Sequence, residues 1–241
     1  MTVDRPLADR LLSLGADLGT AAPSGDVIDM LAVGVGVKPM AGLAACYTES
    51  GAPAWDAVET DPSLPRSSLG ARLDDAGFQW TFTPVETVHE DGRAFTWYEL
   101  LLGSDGETLP TFLSRTGTHP NHRTEAEYGE ALGYPDSAVE WFVNRPASRF
   151  DSVFDIIERE GFRDDAQMLA ASVPYVPAPT HDGASDAIED GRELTDALGQ
   201  LDAASVRDEF AEALLGERVS ETLATHDQTE PWRDPLHRAM G

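Results

Sequence analysis

The stretch Thr124-Glu-Ala-Glu-Tyr-Gly-Glu-Ala-Leu-Gly-Tyr-Pro-Asp-Ser-Ala-Val-Glu-Trp-Phe-Val143 predicts two short helices that meet at a tight corner. Thr124 and Glu127 form the capping box that begins the first helix. Gly133 is placed to end that helix in the left-handed conformation, because it lacks the Cβ that makes this conformation costly. Pro135 cannot continue the first helix, and Asp136 can cap the second. Taken alone, the residues favour a buried helical corner.

The corner resembles a signature of uncharacterised archaeal proteins, Gly-Tyr-Pro-X-Cys-Cys-Val-X-X-Phe. Residues 133–142 match it except at the two cysteines, which are Ser137 and Ala138 here. Family members also carry a later Pro-Cys segment followed by another Cys, which is similar to residues 176–184 of this chain, again without sulfur. An earlier Gly-Val-Lys38-Pro39 is a third similarity.

The resemblance implies a thiolate metal or cluster site in the family, because soft sulfur ligands select such metals. It implies no known activity. The equivalent positions here cannot bind a metal in that way; they are Ser137, Ala138, Ala178 and Ala184. We therefore expect the scaffold without its site, and we predict that Ser137 and Ala138 lie close to residues 178–184. The alternative is a coincidental similarity, with ordinary cap and core residues at these positions.

Charge is the most unusual property of the 241-residue chain. It has 43 acidic and 17 basic residues, a net charge of -26, and Lys38 is its only lysine. The acids are spread over the whole chain among apolar positions, as on a solvated surface. This composition is similar to that of proteins from extreme halophiles, where molar salt screens the repulsion. It disfavours a nucleic-acid partner at ordinary salt, and that argument weakens at molar salt.

The chain has a single cysteine, Cys46, which excludes a disulfide framework or a zinc ribbon within one chain. No signal peptide is evident at the start, and the most apolar stretch is broken by charges and a proline. We expect a cytoplasmic protein with no membrane association. We also expect no cofactor and no metal.

The pattern along the chain predicts an α+β protein with a helical N-terminal part, a small antiparallel meander at about 78–114, and a helical C-terminal half. Phe78, Trp80 and Phe82 alternate with polar residues, which is typical of a half-buried strand. Pro84 places this strand at an edge or a bulge. The partner strand is expected at 95–102 and a third strand at 109–114. Residues 1–230 are predicted to form one domain, and 231–241 a loosely held tail.

The polar loop between the meander and the corner carries Arg115, His119 and His122. Histidines three apart could bind a metal, although a solvated loop is the simpler interpretation. Tyr134 in the corner and His181 after the proline-rich segment could join them in one pocket.

Two functions therefore remain. The first is a non-metal binding or interaction protein, with an unknown protein or small-molecule partner, in a halophilic cytoplasm. The alternative is an enzyme with an acid–base or histidine–metal pocket formed by the residues Arg115, His119, His122, Tyr134 and His181.

Overall fold

The structure, a computed structural model, describes residues 3–18, 22–48, 66–90, 93–117, 123–145, 152–205 and 209–227. Within these ranges the chain forms ten α-helices and three β-strands. In chain order they are α1 (Arg5–Leu18), α2 (Ser24–Gly34), β1 (Met40–Thr48), α3 (Arg66–Asp75), β2 (Gln79–Glu90), β3 (Arg93–Gly103), α4 (Thr108–Thr116), α5 (Glu125–Ala131), α6 (Asp136–Asn144), α7 (Val153–Glu160), α8 (Ala166–Ser172), α9 (His181–Ala204) and α10 (Phe210–Asp227). The predicted α+β class, with a small antiparallel sheet and a helical C-terminal half, is confirmed.

The three strands form one antiparallel sheet in the order β1-β3-β2. Leu100 in the central strand pairs with Leu43 on one side and Phe82 on the other, so these apolar side chains share one face. The predicted hairpin of β2 and β3 is confirmed. Pro84 lies on an edge strand next to a register shift, as its missing N–H requires.

The prediction of a third strand at 109–114 is wrong. Residues 109–114 belong to α4, because Asp105 accepts hydrogen bonds from the backbone N–H groups of Glu107 and Thr108 at the start of this helix. Leu109 and Phe112, three residues apart, then face inward. The strand that completes the sheet is β1, whose sequence Met-Ala-Gly-Leu-Ala-Ala-Cys-Tyr-Thr has few β-branched residues and no clear alternation.

Three clusters of buried apolar residues hold the elements together. The largest joins α1, α2, α3 and one face of the sheet to α9 and α10. A second joins α7 and α8 to α9. A third lies on the other face of the sheet, where Met40 and Leu101 pack against α4 and Leu132.

The predicted single domain over residues 1–230 stays a prediction, and the predicted tail at 231–241 lies outside the described residues. None of the helices in the described ranges combines the length and the apolar composition needed to cross a bilayer.

Candidate functional site

The corner between α5 and α6 forms as its local signals predict. Thr124 and Glu127 make both hydrogen bonds of the capping box. At the other end, the N–H of Gly133 donates to the carbonyl of Glu130, and the N–H of Tyr134 to the carbonyl of Gly129, which is the Schellman arrangement. Gly133 has φ +76°, so the predicted left-handed residue is confirmed. This geometry fixes the direction in which the Tyr134 side chain leaves the corner.

Gly133 also brings the corner against the loop that precedes β1. A Cβ built on Gly133 would lie 2.6 Å from Cδ of Pro39, so only glycine permits this approach. Pro39 restricts the residue before it to an extended backbone. The N–H of Lys38 donates to the carbonyl of Ala32 at 3.2 Å, which holds Lys38 against the end of α2. Lys38 therefore lies between α2 and the corner.

Lys38, the only lysine in the chain, is buried with 7% of its side chain exposed. Its Nζ lies 3.4 Å from Oδ1 of Asp29 and 5.1 Å from the centre of the Tyr134 ring. At 3.4 Å the contact is an ion pair rather than a well-formed hydrogen bond. Neither Nζ nor Oδ1 of Asp29 has a hydrogen-bond partner among the described residues. Burial lowers the pKa of Lys38, and the opposite charge of Asp29 partly offsets this effect.

Two more ionisable groups belong to this centre. Asp26, one helical turn before Asp29, accepts a hydrogen bond from the N–H of Ala44 at 3.2 Å on the free edge of β1. Burial, followed by repulsion from Asp29, raises the pKa of Asp26 to about 7. Nη1 of Arg218 in α10 lies 3.9 Å from Oδ1 of Asp29, and its Nη2 donates to the carbonyl of Val173 at 2.5 Å. We call Asp26, Asp29, Lys38 and Arg218, together with the Tyr134 ring, the Lys38 centre.

Tyr134 connects the Lys38 centre to the segment between α8 and α9. Its hydroxyl donates to the carbonyl of Pro174 at 3.0 Å, and its ring centre lies 5.2 Å from that of Tyr175. The hydroxyl of Tyr175 in turn donates to Asp190 in α9 at 2.6 Å. Burial raises the pKa of both tyrosines, so each hydroxyl is a proton donor in its hydrogen bond. Tyr134 packs against the third apolar cluster and Tyr175 against the second, so the centre borders both.

The corner that carries the archaeal resemblance contacts Pro39 and residues on either side of the segment 176–184. Ser137 in α6 donates a hydrogen bond to Asp186, two residues beyond the segment 178–184. Pro39 touches Gly133, and Tyr134 touches Pro174. The predicted contact of Ser137 and Ala138 with residues 178–184 themselves stays a prediction. In the described part of the chain, no group of three or more His, Cys, Asp or Glu side chains is arranged to hold a metal ion.

A second ionic group lies beside β1, and unlike Asp29 its carboxylate accepts hydrogen bonds on both oxygens. Nη2 of Arg123 donates to both carboxylate oxygens of Glu99, at 2.8 and 2.7 Å, and the hydroxyl of Tyr128 donates to one of them. The guanidinium lies 3.7 Å above the centre of the Tyr128 ring. Gly42 gives the Tyr128 hydroxyl room, because a Cβ at this position would overlap it. Both carboxylate oxygens of Glu99 thus accept hydrogen bonds, as expected of a structural contact.

Three of the five residues predicted to form one pocket are described, and each of them has different neighbours. Arg115 is exposed on α4. His181 is exposed at the start of α9, where Nδ1 lies 2.6 Å from Oε2 of Glu160 and the ring packs on Phe162. Tyr134 belongs to the Lys38 centre. Among the described residues these three share no hydrogen bond, ion pair or ring contact. His119 and His122 lie outside the described residues, so the pocket of all five stays a prediction.

The ionisable residues of the Lys38 centre are not among the site residues predicted from the sequence. Lys38 had a usable signal, because it is the only lysine among 17 basic residues and belongs to the Gly-Val-Lys-Pro similarity. In a chain whose other basic residues are all arginines, a single lysine indicates a position that requires an amine. Asp26, Asp29 and Arg218 had no such signal, since the chain is rich in both residue types and only the fold shows which of them meet.

The arrangement of the centre can recognise a polar molecule or move a proton. It combines an amine donor, a carboxylate acceptor, a guanidinium and a carboxyl group with a pKa near neutrality. Comparison of the chain with known protein families, curated proteins and solved structures finds no match.

Proposed function

We propose that the protein binds a small polar molecule, without a metal, at the Lys38 centre, in the cytoplasm of an extreme halophile. One observation carries the proposal: Nζ of Lys38 and Oδ1 of Asp29 are buried and face each other at 3.4 Å, and neither forms a hydrogen bond within the described part of the chain. A buried polar group whose hydrogen bonds are not formed costs roughly 1–3 kcal/mol, and the ion pair between these two groups offsets only part of that cost. A ligand with both donor and acceptor atoms would remove this cost for both groups.

The charge of the centre suits such a ligand. Two cationic side chains and two carboxyl groups meet within it, so it is close to neutral in a chain that is otherwise strongly acidic. A small molecule can be desolvated there without facing the repulsion that the surface of the protein exerts on anions. The Tyr134 ring gives the centre an apolar side.

The proposal can be tested by thermal unfolding in about 2 M KCl, which screens the surface charge. Panels of amino acids, 2-oxo acids, sugars and polyols are added separately to the wild-type protein, Lys38→Arg and Arg123→Gln. Lys38→Arg keeps the positive charge but changes the donor geometry, whereas Arg123→Gln alters the paired ionic group beside β1. The ligand should raise the melting temperature of the wild-type protein and of Arg123→Gln, and should have a much smaller effect on Lys38→Arg.

A ligand present at about 100 times its Kd should stabilise the folded state by about 2.7 kcal/mol, which is measurable as a clear shift. A panel with no active compound, or a shift of equal size in Lys38→Arg, contradicts the proposal.

A pull-down at molar salt tests for a protein partner. Recovery of one partner by both the wild-type protein and Lys38→Arg, with no small-molecule shift, would favour an interaction protein with another binding surface.

An enzymatic role is the second candidate. It is favoured by the lowered pKa of Lys38 beside Asp26, whose pKa of about 7 suits proton transfer near neutral pH. Turnover of a bound compound by the wild-type protein, and its loss in Asp26→Asn, would identify the protein as an enzyme.

A further inference from the structure

The amine of Lys38 has the surroundings of a nucleophile. Its side chain is 7% exposed, and no described residue accepts a hydrogen bond from Nζ. The ammonium of Lys38 faces the Asp29 carboxylate at 3.4 Å, and transfer of one proton to a neighbouring carboxyl group leaves the neutral amine with a free lone pair. Burial lowers the pKa of Lys38, which favours release of this proton. Neutral, desolvated lysine amines are the form that attacks carbonyl carbon.

We propose that Lys38 forms an imine with a small 2-oxo acid bound at the Lys38 centre. This inference rests on the proposed function and names its ligand class. The Nζ lone pair attacks the keto carbon, which forms the C–N bond and places a proton on the carbonyl oxygen. Loss of that oxygen as water breaks the C–O bond, and both amine protons leave with it. The condensation needs no oxidant or reductant.

The neighbouring groups can carry the protons of this reaction. Oδ1 of Asp29 lies 3.4 Å from Nζ and has no other hydrogen bond, so it can accept a proton from the attacking amine. Asp26 lies one turn earlier on the same helix, and its carboxyl exchanges a proton near neutral pH because burial raises its pKa. It can supply the proton that water needs to leave.

Arg218 offers a binding partner for the carboxylate of the proposed ligand. Its Nη2 is occupied by the carbonyl of Val173, but its Nη1 makes no hydrogen bond to a described residue and lies 3.9 Å from Oδ1 of Asp29. A guanidinium at this position can bind a carboxylate attached to the keto carbon that Lys38 attacks. A simple aldehyde would lack that contact, so 2-oxo acids should be preferred.

Reductive trapping tests the proposal sharply, because Lys38 and the N-terminus are the only amines of the chain. The wild-type protein is incubated with pyruvate, glyoxylate or acetaldehyde in the presence of cyanoborohydride, and intact and peptide masses are measured. Pyruvate or glyoxylate should add one equivalent at Lys38, and acetaldehyde much less. Lys38→Arg should lose this adduct, and Arg218→Gln should lose the preference for the 2-oxo acids over acetaldehyde.

A comparison of folded and urea-unfolded wild-type protein at neutral pH keeps the test decisive even if a variant does not fold. Faster labelling of Lys38 in the folded protein supports the proposal, because an ordinary lysine is charged and unreactive at that pH. Labelling of the N-terminus alone, or labelling of Lys38 that is no faster in the folded protein, overturns it. Equal trapping of acetaldehyde and pyruvate overturns the assignment to 2-oxo acids. A ligand that raises the melting temperature without any Lys38 adduct leaves the proposed function standing and removes only the imine.

Discussion

Nζ of Lys38 lies 3.4 Å from Oδ1 of Asp29, and neither atom has a hydrogen-bond partner among the described residues. Ion pairs buried in this way do not by themselves stabilise a protein, because the cost of desolvation offsets the attraction between the charges. The paired group of Glu99 and Arg123 shows that this chain can satisfy a partly buried carboxylate completely. The incomplete pairing of Lys38 and Asp29 is the observation on which the proposed ligand binding rests.

Lys38→Met should destabilise the protein, because it leaves Asp29 buried without its nearest cation. Removing one partner of a buried pair costs about 3–5 kcal/mol. Arg5→Ala is the matched control, since Arg5 forms an ion pair with Asp9 that is well exposed and worth roughly 1 kcal/mol or less. Urea unfolding at constant high salt measures both. Equal effects of the two substitutions would show that Lys38 is not desolvated in the folded protein.

Asp26 predicts a distinctive dependence of stability on pH. Its pKa rises from 3.8 to about 7 on folding, so between these values the folded protein holds a proton that the unfolded chain releases. The contribution of Asp26 is fully present below about pH 4 and is lost as the pH rises through 7. Asp26→Asn removes this titration but keeps an oxygen acceptor for the N–H of Ala44.

The free energy of unfolding of the wild-type protein relative to Asp26→Asn should therefore fall from pH 4 to pH 7. A decrease of about 2–4 kcal/mol corresponds to the shift after allowance for partial exposure. Taking the difference between the two proteins cancels the carboxyl groups with the opposite behaviour, such as Asp155, whose pKa is lowered by hydrogen bonds from Ser152. A constant difference over this range would contradict the raised pKa.

The sequence predicted elements whose signals are local. The capping box of Thr124 and Glu127, the left-handed Gly133 and the alternation around Trp80 each act within a few residues, and each is found in the structure. The apolar spacing of Leu109 and Phe112 was compatible with a short helix as well as with a strand. The capping of α4 by Asp105 favours the helix.

The parts that depend on distant contacts could not be predicted in the same way. Strand β1 forms because β3 offers it a partner and its small residues, such as Gly42, let Tyr128 approach. Asp29 and Arg218 are 189 residues apart in the sequence and meet only because α2 and α10 pack together. Among 43 acidic residues, the sequence contains nothing that distinguishes Asp26 and Asp29 from those on the surface.

Salt should stabilise the folded protein, because dissolved ions screen the repulsion among the acidic residues that give it a net charge of -26. We expect the melting temperature to rise substantially as KCl increases from about 0.1 M to about 3 M. Replacing KCl with sucrose at equal osmolarity controls for effects of excluded solute. A flat or falling melting temperature would contradict the halophilic interpretation of the composition.

The purified protein should contain no stoichiometric zinc or iron and show no cluster absorbance. The thiolates that the archaeal signature implies are replaced at Ser137, Ala138, Ala178 and Ala184. Elemental analysis after purification without added metal tests this. One equivalent of bound metal would refute the lost site and direct attention to His119, His122 and His181, with their substitution as the next experiment.

Gly133→Ala should destabilise the protein for two separable reasons. Its φ of +76° is costly for alanine, and the new Cβ would lie 2.6 Å from Cδ of Pro39. Gly161→Ala is the matched control for the first effect, since Gly161 has φ +69° with no atom within 4 Å of its Cβ position. Gly216, within α10 and with open space around it, should instead gain stability as alanine, by about 0.5–1 kcal/mol.

The three substitutions should therefore rank in a fixed order, measured as free energies of unfolding by urea at constant salt. Gly161→Ala should cost roughly 1 kcal/mol, and Gly133→Ala distinctly more, because Pro39 must move as well. Such movement displaces Lys38, the neighbour of Pro39 in the chain. Gly133→Ala should thus also weaken ligand binding at the Lys38 centre, whereas Gly161→Ala should leave binding unchanged. Equal destabilisation by Gly133→Ala and Gly161→Ala would show that the contact between the corner and Pro39 is loose and does not position Lys38.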